Sequence, residues 1–379
     1  MNRRPLILTA LAAALPWGAL AQTAPAGTSD LVVAQIGPFT VLPAPDPKEL
    51  NEGIRAGLAE VNAAGGIQGR TVRLLTLDDT YTYEGFKTQL AKALEAKAVA
   101  LLTPLGSATL KAMLDDKLLD STDIVVLNAV PGAKVLREPG HPKLFHIRAG
   151  DEQQIRKIVA HARALNIQSM GVLHQDIPMG SSGLASAQAA AKAEGGSVEI
   201  TSYPSSTDPA AITSAAQALA KASPHSALVV GAPKFSGEAI AALRKAGVVQ
   251  QIFTLSYLPA PALVKFAGQG ARGVGIAQTF PNPAGVSLGL QRDFRAAMKK
   301  THPDLTLYSP FHMEGYITAR VFAAAARRAR TLTPSGIAQS LHAMGELDLS
   351  GFRTNFSKSN EGSGWVDIGV ATADGKLIY

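Results

Sequence analysis

The sequence contains no cysteine among its 379 residues. This absence excludes disulfide bonds, thiolate zinc sites and a lipid anchor on an N-terminal cysteine. Aromatic residues make up only 6% of the chain and are not interleaved with basic residues, which disfavours the stacking, basic surface of a nucleic-acid-binding protein. A chain without disulfides depends on apolar burial, and 46% hydrophobic residues suffice for that. The length predicts about two domains.

Motifs of catalysis and of metal or cofactor binding are also missing. The sequence has no P-loop and no G-x-S-x-G, and its eight histidines lack metal-ligand spacing. Residues 268–273 match G-x-G-x-x-G, but they follow a predicted helix and lead into a predicted strand. A dinucleotide site needs the opposite order, so this segment is predicted to be a glycine-rich turn. We expect no cofactor, no metal and no enzymatic activity, with a periplasmic hydrolase as a minor alternative.

Two further groups of polar residues could in principle carry chemistry. Asp78 and Asp79 end a predicted strand and are expected to cap the following helix rather than to act as a catalytic pair. His141 and His146 flank a proline-containing turn and are expected at the surface.

The N-terminus predicts export. Arg3 and Arg4 precede an uncharged, Leu- and Ala-rich run over residues 6–20, and small residues stand at 19 and 21. This pattern predicts a signal peptide over residues 1–21, cleaved before Gln22. A transmembrane anchor is disfavoured because it needs roughly 20 apolar residues, and Pro16 interrupts this shorter run. The paired arginines also permit a twin-arginine route, although the flanking residues fit it poorly.

The segment after the signal is small and polar. Residues 22–29 read QTAPAGTS and predict a disordered tether. Removal of the signal leaves 34 basic and 29 acidic residues, so the net charge falls from +7 to +5. The basic residues are scattered, as in a solvated surface. We therefore expect a periplasmic protein that is not membrane-anchored and binds no nucleic acid.

Short apolar runs alternate with amphipathic helical patterns from residue 31 onward. Strands are predicted over residues 31–36, 72–77, 99–102, 124–127, 170–173, 198–200, 227–230, 252–255 and 275–280. Helical spacing separates them, and the pattern begins anew near residue 151. The sequence thus predicts an α/β fold with two similar lobes and parallel central sheets, in which ligands bind beyond the carboxyl ends of the strands.

Several segments resemble the type I periplasmic binding proteins, in particular the branched-chain amino acid (Leu/Ile/Val) binding family of ABC importers. The likeness runs from residue 31 to at least residue 329, and VNAAGGIQGR at residues 61–70 is its most specific part. The other segments that carry it are residues 35–39, 53–57, 77–79, 104–107, 144–148 and 171–176.

The resemblance implies two Rossmann-like lobes joined by three hinge crossovers. Lobe 1 would comprise residues 30–145 plus 278–349, and lobe 2 residues 146–277 plus 350–379. Family members capture a small solute between the lobes and deliver it to the permease subunits of an ABC transporter. A monomer is expected. The alternative is a ligand-sensing module that reports the same closure to a receptor partner.

Ligand-binding residues follow from the family's loop positions. The set implied in this way is Gly106, Ser107, Asn128, Ala129, Gln175, Lys234, Phe235, Ser256 and Tyr257. The loop before residue 107 opens a helix whose free N–H groups suit a carboxylate. Ser107 or Thr109 could equally serve only to cap that helix.

Ser256 separates this chain from the amino acid binders that it resembles. At the matching position those proteins carry an acidic residue for the ligand's ammonium group, and an unpaired buried ammonium costs several kcal/mol. Asp46, Asp78 and Asp176 could substitute, but none stands at the matching position. We therefore expect a carboxylate or amide solute without a free α-amino group, for example an aromatic or aliphatic acid.

Overall fold

The computed structural model describes residues 30–41 and 46–379. The strands are β1 Leu31–Gly37, β2 Val72–Asp78, β3 Ala100–Leu102, β4 Val125–Leu127, β5 Leu144–Phe145, β6 Ser169–Gln175, β7 Glu199–Ser205, β8 Ser226–Val230, β9 Gln251–Thr254, β10 Gly275–Gln278, β11 Glu346–Asp348, β12 Arg353–Asn355, β13 Asp367–Ala371 and β14 Leu377–Ile378. The α-helices are α1 Asp46–Ala63, α2 Tyr83–Glu95, α3 Ser107–Asp115, α4 Leu118–Ser121, α5 Asp151–Ala164, α6 Pro178–Ala193, α7 Pro209–Ala222, α8 Pro233–Lys245, α9 Ala260–Ala267, α10 Gly289–Thr301, α11 Pro310–Arg328 and α12 Pro334–Ala343. The predicted signal peptide and tether lie outside the described residues.

Two sheets organise the chain. The first has the strand order β2-β1-β3-β4-β5 and is wholly parallel. The second has the order β14-β13-β10-β9-β8-β6-β7, in which β6 to β10 are parallel and the tail strands β13 and β14 add antiparallel. The predicted α/β fold with two lobes and parallel central sheets is confirmed, and the tail adds the antiparallel edge.

Helices cover both faces of each sheet, which explains why the central strands β1, β3, β4 and β8 are fully buried and mostly apolar. In the first lobe, α1 packs against α11 at very short range. A Cβ atom at Gly53 would collide with the backbone carbonyl of His312, and one at Gly315 would collide with that of Leu50. Only glycine allows these two helices to approach so closely, and the contact buries α11 as the central helix of the lobe.

The chain passes between the two sheets three times. The connecting segments are residues 146–150, 279–288 and 356–366, and the first and third run side by side where His146 bridges to Glu361. His146 is buried, so its predicted surface position is wrong. Burial and the nearby Arg137 guanidinium lower the pKa of His146 to about 3.

The predicted lobe bounds stay a prediction. Strand β12 pairs with β11, and Phe352 and Phe356 pack into the core of the first lobe. These contacts favour a third crossing after Phe356 rather than at residue 350. The glycine-rich segment at 268–273 forms a short 3₁₀ helix, Gly268–Ala271, before strand β10, so its interpretation as a turn is confirmed.

Candidate functional site

The candidate site is the region where loops from both sheets meet, at the carboxyl ends of the parallel strands. The loop after β4 reaches the loop after β9: the backbone N–H of Gly132 donates to the Tyr257 hydroxyl over 2.7 Å. Ligands of open α/β sheets bind at this edge, because loops and helix N-termini converge there. The following residues line or support it.

The loop after β3 brings the N-terminus of helix α3 to this edge. Gly106 is the N-cap residue, with a φ of 92° that disfavours any other residue. No side chain caps the helix, so the alternative in which Ser107 or Thr109 serves only as its cap is wrong. The first helical hydrogen bond runs from Leu110 N–H to the Gly106 carbonyl, which leaves the preceding N–H groups without an intrahelical acceptor. Ser107 itself is exposed.

Asn128 follows strand β4 and is completely buried, as is Ala129. The Asn128 side-chain oxygen accepts the backbone N–H groups of Ile147 and Arg148 over 3.2 and 2.9 Å. Its amide nitrogen donates to Glu314 over 3.1 Å and to Thr318 over 2.9 Å. These bonds use every side-chain group of Asn128 to anchor the first crossover to helix α11.

On the other sheet, the predicted residues at the end of β6 and after β8 differ in exposure. The Gln175 side chain accepts the Ala232 N–H over 2.9 Å and fixes the loop before α8. Lys234 is exposed, with its ammonium 3.8 Å from Glu238. Phe235 is buried within the core of the second lobe.

Ser256 and Tyr257, after β9, hold the two lobes together. The Ser256 hydroxyl accepts a 2.5 Å hydrogen bond from the guanidinium of Arg148, and its N–H donates to Gln154. The Tyr257 hydroxyl donates to Asp151 over 2.5 Å while accepting from Gly132. Burial and the Asp151 carboxylate raise the pKa of Tyr257 well above its usual value, so the phenol stays protonated.

Arg148 and Glu314 form an ion pair at the base of this region. Arg148 Nε donates to Glu314 Oε1 over 3.0 Å, and Nη2 donates to Oε2 over 2.5 Å. The two side chains are 1% and 0% exposed. Such a bidentate geometry compensates part of the cost of removing both charges from water.

Three aromatic rings surround the Arg148 guanidinium. Its central carbon lies 5.4 Å from the ring centre of Tyr257, 5.7 Å from that of Phe311 and 5.8 Å from that of Phe280. These rings come from the second lobe, the first lobe and the second crossover, and rings within about 6 Å of a cation attract it. The guanidinium of Arg148, a residue of the first crossover, therefore contacts both lobes and the second crossover.

Carboxyl groups near this pair are hard to ionise. Burial, and then repulsion from Glu49, raises the pKa of Asp46 from 3.8 to about 7, although Arg148 counters the shift. Burial likewise raises the pKa of Asp151. Burial thus makes both carboxyl groups harder to ionise than free aspartates, and Asp46 is only partly ionised at neutral pH.

The loop after β2 completes the edge. Asp78 accepts the backbone N–H groups of Phe39 and Thr80, and Asp79 accepts the N–H of Tyr81. The expectation that these aspartates cap helix α2 is wrong, because Thr82 is its N-cap residue. The aspartates instead fix the loop conformation.

The sequence from residue 31 to residue 376 matches the model of a family described as periplasmic binding proteins. The chain belongs to this family. The predicted type I fold is confirmed, and the family is one of binding proteins rather than of enzymes.

Solved structures support the assignment. An extracellular ligand-binding receptor from Verminephrobacter eiseniae is 47% identical over 92% of this chain and all of its own, with a TM-score of 0.88. A substrate-binding periplasmic protein from Ralstonia solanacearum is 26% identical over 92% of this chain and 99% of its own, with a TM-score of 0.80. A possible leucine/isoleucine/valine-binding protein from Rhodopirellula baltica shares the fold at 22% identity, 94% and 98% coverage and a TM-score of 0.81. No curated protein matches the sequence.

Within the described residues, the binding protein has no cluster of three or more His, Asp or Glu that could hold a metal ion. The helices of residues 30–41 and 46–379 include none long and apolar enough to cross a membrane.

Sequence reasoning missed the central pair of the binding protein. Arg148 stands in one of the segments that resemble the family, and Glu314 lies 166 residues away along the chain. The available signal was Glu314 itself, a carboxylate inside an otherwise apolar face of α11, where an unpaired charge would be costly. The spacing of residues along the sequence does not reveal that Arg148 is the partner of Glu314.

Proposed function

We propose that this protein is the periplasmic substrate-binding component of an ABC importer, which captures a small solute between its lobes and delivers it to permease subunits. The observation that carries the proposal is the group of polar bonds between the loops after β4 and β9 and the first crossover, centred on Arg148, Ser256 and Tyr257. Hinge closure around a solute requires such contacts where the lobes meet.

The predicted ligand residues divide into two groups in this proposal. Gly106, Ser107, Lys234 and the amide nitrogen of Gln175, whose oxygen is bound by the Ala232 N–H, contact the solute from opposite lobes. Asn128, Ala129, Phe235, Ser256 and Tyr257 shape and hold the site, because their side chains are hydrogen-bonded to the protein or packed in its cores.

The solute is a carboxylate or amide without a free α-amino group. Support comes from Ser256, whose hydroxyl is bound by Arg148, and from Glu314, which that guanidinium neutralises. Asp46 has a pKa of about 7 and is only partly ionised at neutral pH, and an oxygen of the Asp151 carboxyl is already occupied by the Tyr257 hydroxyl.

A thermal-shift screen of the mature protein tests the proposal. A solute at 100 times its dissociation constant adds about 2.7 kcal/mol to the free energy of unfolding. We expect organic acids or amides to stabilise the protein and leucine to have no effect. Stabilisation by leucine, with no response to the acids, would refute the solute class while leaving solute capture intact.

A sensing role is the second candidate, and it is favoured by the relative from V. eiseniae that is named a ligand-binding receptor. Pull-down with the tagged protein separates the two. Recovery of ABC permease subunits supports import, whereas recovery of a histidine kinase or chemoreceptor supports sensing.

A further inference from the structure

The loop after β2 holds two consecutive residues in a backbone conformation that side chains disfavour. Thr80 has a φ of 50° and Tyr81 a φ of 58°. Threonine is β-branched and tyrosine is bulky, so neither suits the left-handed region, in which glycine or asparagine is usual. Backbone strain of this kind persists only where the surrounding structure enforces it.

Neighbouring aspartates enforce it here. Asp78 accepts the Thr80 N–H over 2.9 Å and the Phe39 N–H over 3.1 Å, and its second oxygen accepts the Thr40 hydroxyl over 2.5 Å. Asp79 accepts the Tyr81 N–H over 2.9 Å. Four hydrogen bonds thus maintain a turn that would be free of this strain only with glycine at both positions.

The consequence of this turn is the position of the Tyr81 ring. Tyr81 is 51% exposed, and its hydroxyl makes no hydrogen bond within the part of the chain that the structure describes. The ring lies beside Gly106: a Cβ atom built on that glycine would be 3.4 Å from Tyr81 Cε2. An aromatic face is therefore held at the rim of the candidate site, next to the start of helix α3.

Other apolar groups continue this surface. A Cβ atom at Gly37 would lie 3.3 Å from Leu105 and 4.0 Å from the Phe39 ring, so these side chains adjoin the end of β1. The loops after β1 to β4, residues 38–41, 79–82, 104–106 and 129–133, contain no lysine or arginine. We call Phe39 and Tyr81 the rim surface, because Leu105 is buried in a small core cluster with Leu50, Val130 and Phe311. The rim surface can contact an apolar group of a solute, but it provides no cation to pair with an anionic group.

We propose that Tyr81 is a specificity-determining residue that stacks on an aromatic ring of the solute, so that the protein selects small aromatic carboxylic acids. This inference rests on the proposed function and narrows its solute class. Stacked aromatic pairs gain affinity beyond the area that they bury, which would explain why a strained turn is retained to present the ring.

The experiment compares three variants with the wild type. Thr80→Gly removes one strained residue and keeps the ring, Tyr81→Gly removes strain and ring together, and Tyr81→Phe keeps the ring. Melting temperatures are measured without solute. Dissociation constants are then measured by calorimetry for 3-phenylpropanoate, 4-hydroxyphenylacetate, hexanoate, L-leucine and D-glucose.

We expect both glycine variants to raise the melting temperature of the free protein by about 1 to 3 °C, because each relieves a left-handed residue. Tyr81→Gly should weaken the binding of 3-phenylpropanoate about tenfold. Thr80→Gly and Tyr81→Phe should change it less than twofold. Gain of stability with loss of affinity is a pattern that a merely structural tyrosine cannot produce.

Three outcomes would overturn the inference. A lower melting temperature for Tyr81→Gly would show that the ring supports the fold. Unchanged affinity for the aromatic acids in that variant would remove Tyr81 from the site. Binding of leucine, glucose or hexanoate alone would refute the aromatic class of solute but not solute capture itself. Binding of none of the five probes would count against both the aromatic class and solute capture.

Discussion

Neutralising Glu314 is the sharpest test of how the lobes are held together. In Glu314→Gln, the Arg148 guanidinium keeps its burial and its ring contacts but loses its counter-charge. The side chains are 1% and 0% exposed, so water cannot replace the lost partner. Removal of one member of a buried pair typically costs about 3 to 5 kcal/mol. We expect the free energy of unfolding to fall by that amount.

An exposed pair of the same length provides the control. Arg163 and Glu194 also approach to 2.5 Å, but their side chains are 56% and 25% exposed. Surface pairs of this kind contribute about 0 to 1 kcal/mol. Glu194→Gln should therefore change the free energy of unfolding by less than about 1 kcal/mol. The contrast between the two variants isolates burial as the cause.

Urea unfolding, followed by circular dichroism and by tryptophan fluorescence, measures both effects. Trp365 lies in the third crossover and packs against Phe352 with ring centres 6.3 Å apart, so its emission reports on the hinge side of the first lobe. A loss below about 1 kcal/mol for Glu314→Gln, equal to that of the control, would refute the reasoning. It would mean that water reaches Arg148 in solution.

Three further predictions concern single groups. Asp46 has a pKa of about 7 in the folded protein, against 3.8 for an ordinary aspartate, so the folded state binds an extra proton between these pH values and loses stability as the pH rises through them. Asp46→Asn should therefore raise the free energy of unfolding by about 1 to 3 kcal/mol at pH 8 and leave it unchanged near pH 4. Urea unfolding at each pH measures the difference. Gly53→Ala should destabilise by more than about 3 kcal/mol, because its Cβ meets the His312 carbonyl, and a normal melting temperature would refute the close packing of α1 on α11. Tyr257→Phe should cost about 1 to 3 kcal/mol, because the Asp151 carboxyl loses its donor, and an unchanged unfolding curve would argue against the bond.

The sequence predicted the order and type of the elements well, because apolar runs and helical spacing are local signals. Strand β1 was predicted over residues 31–36 and spans Leu31–Gly37, and β8 was predicted over 227–230 and spans Ser226–Val230. The pairing of β12 with β11 was not foreseen, since each strand has only three residues and little pattern.

The site was predictable only in part, because its central contacts join distant residues. Spacing cannot reveal that Arg148 meets Glu314 and Ser256, which come from different lobes. The left-handed turn at Tyr81 was hidden for another reason: threonine and tyrosine give no signal for it, and the aspartates that enforce it looked like helix caps. Local propensity fails where neighbouring hydrogen bonds impose the backbone conformation.

The most direct test of solute capture between the lobes is a distance measured across them. Because the chain has no cysteine, Lys111→Cys in α3 and Lys221→Cys in α7 give two unique labelling positions, one on each lobe. Spin labels at these positions are followed by pulsed electron resonance, with and without a solute that stabilises the protein. We predict that saturating solute shortens and narrows the distance distribution. An unchanged distribution, with one solute bound per chain, would contradict closure of the lobes around the ligand.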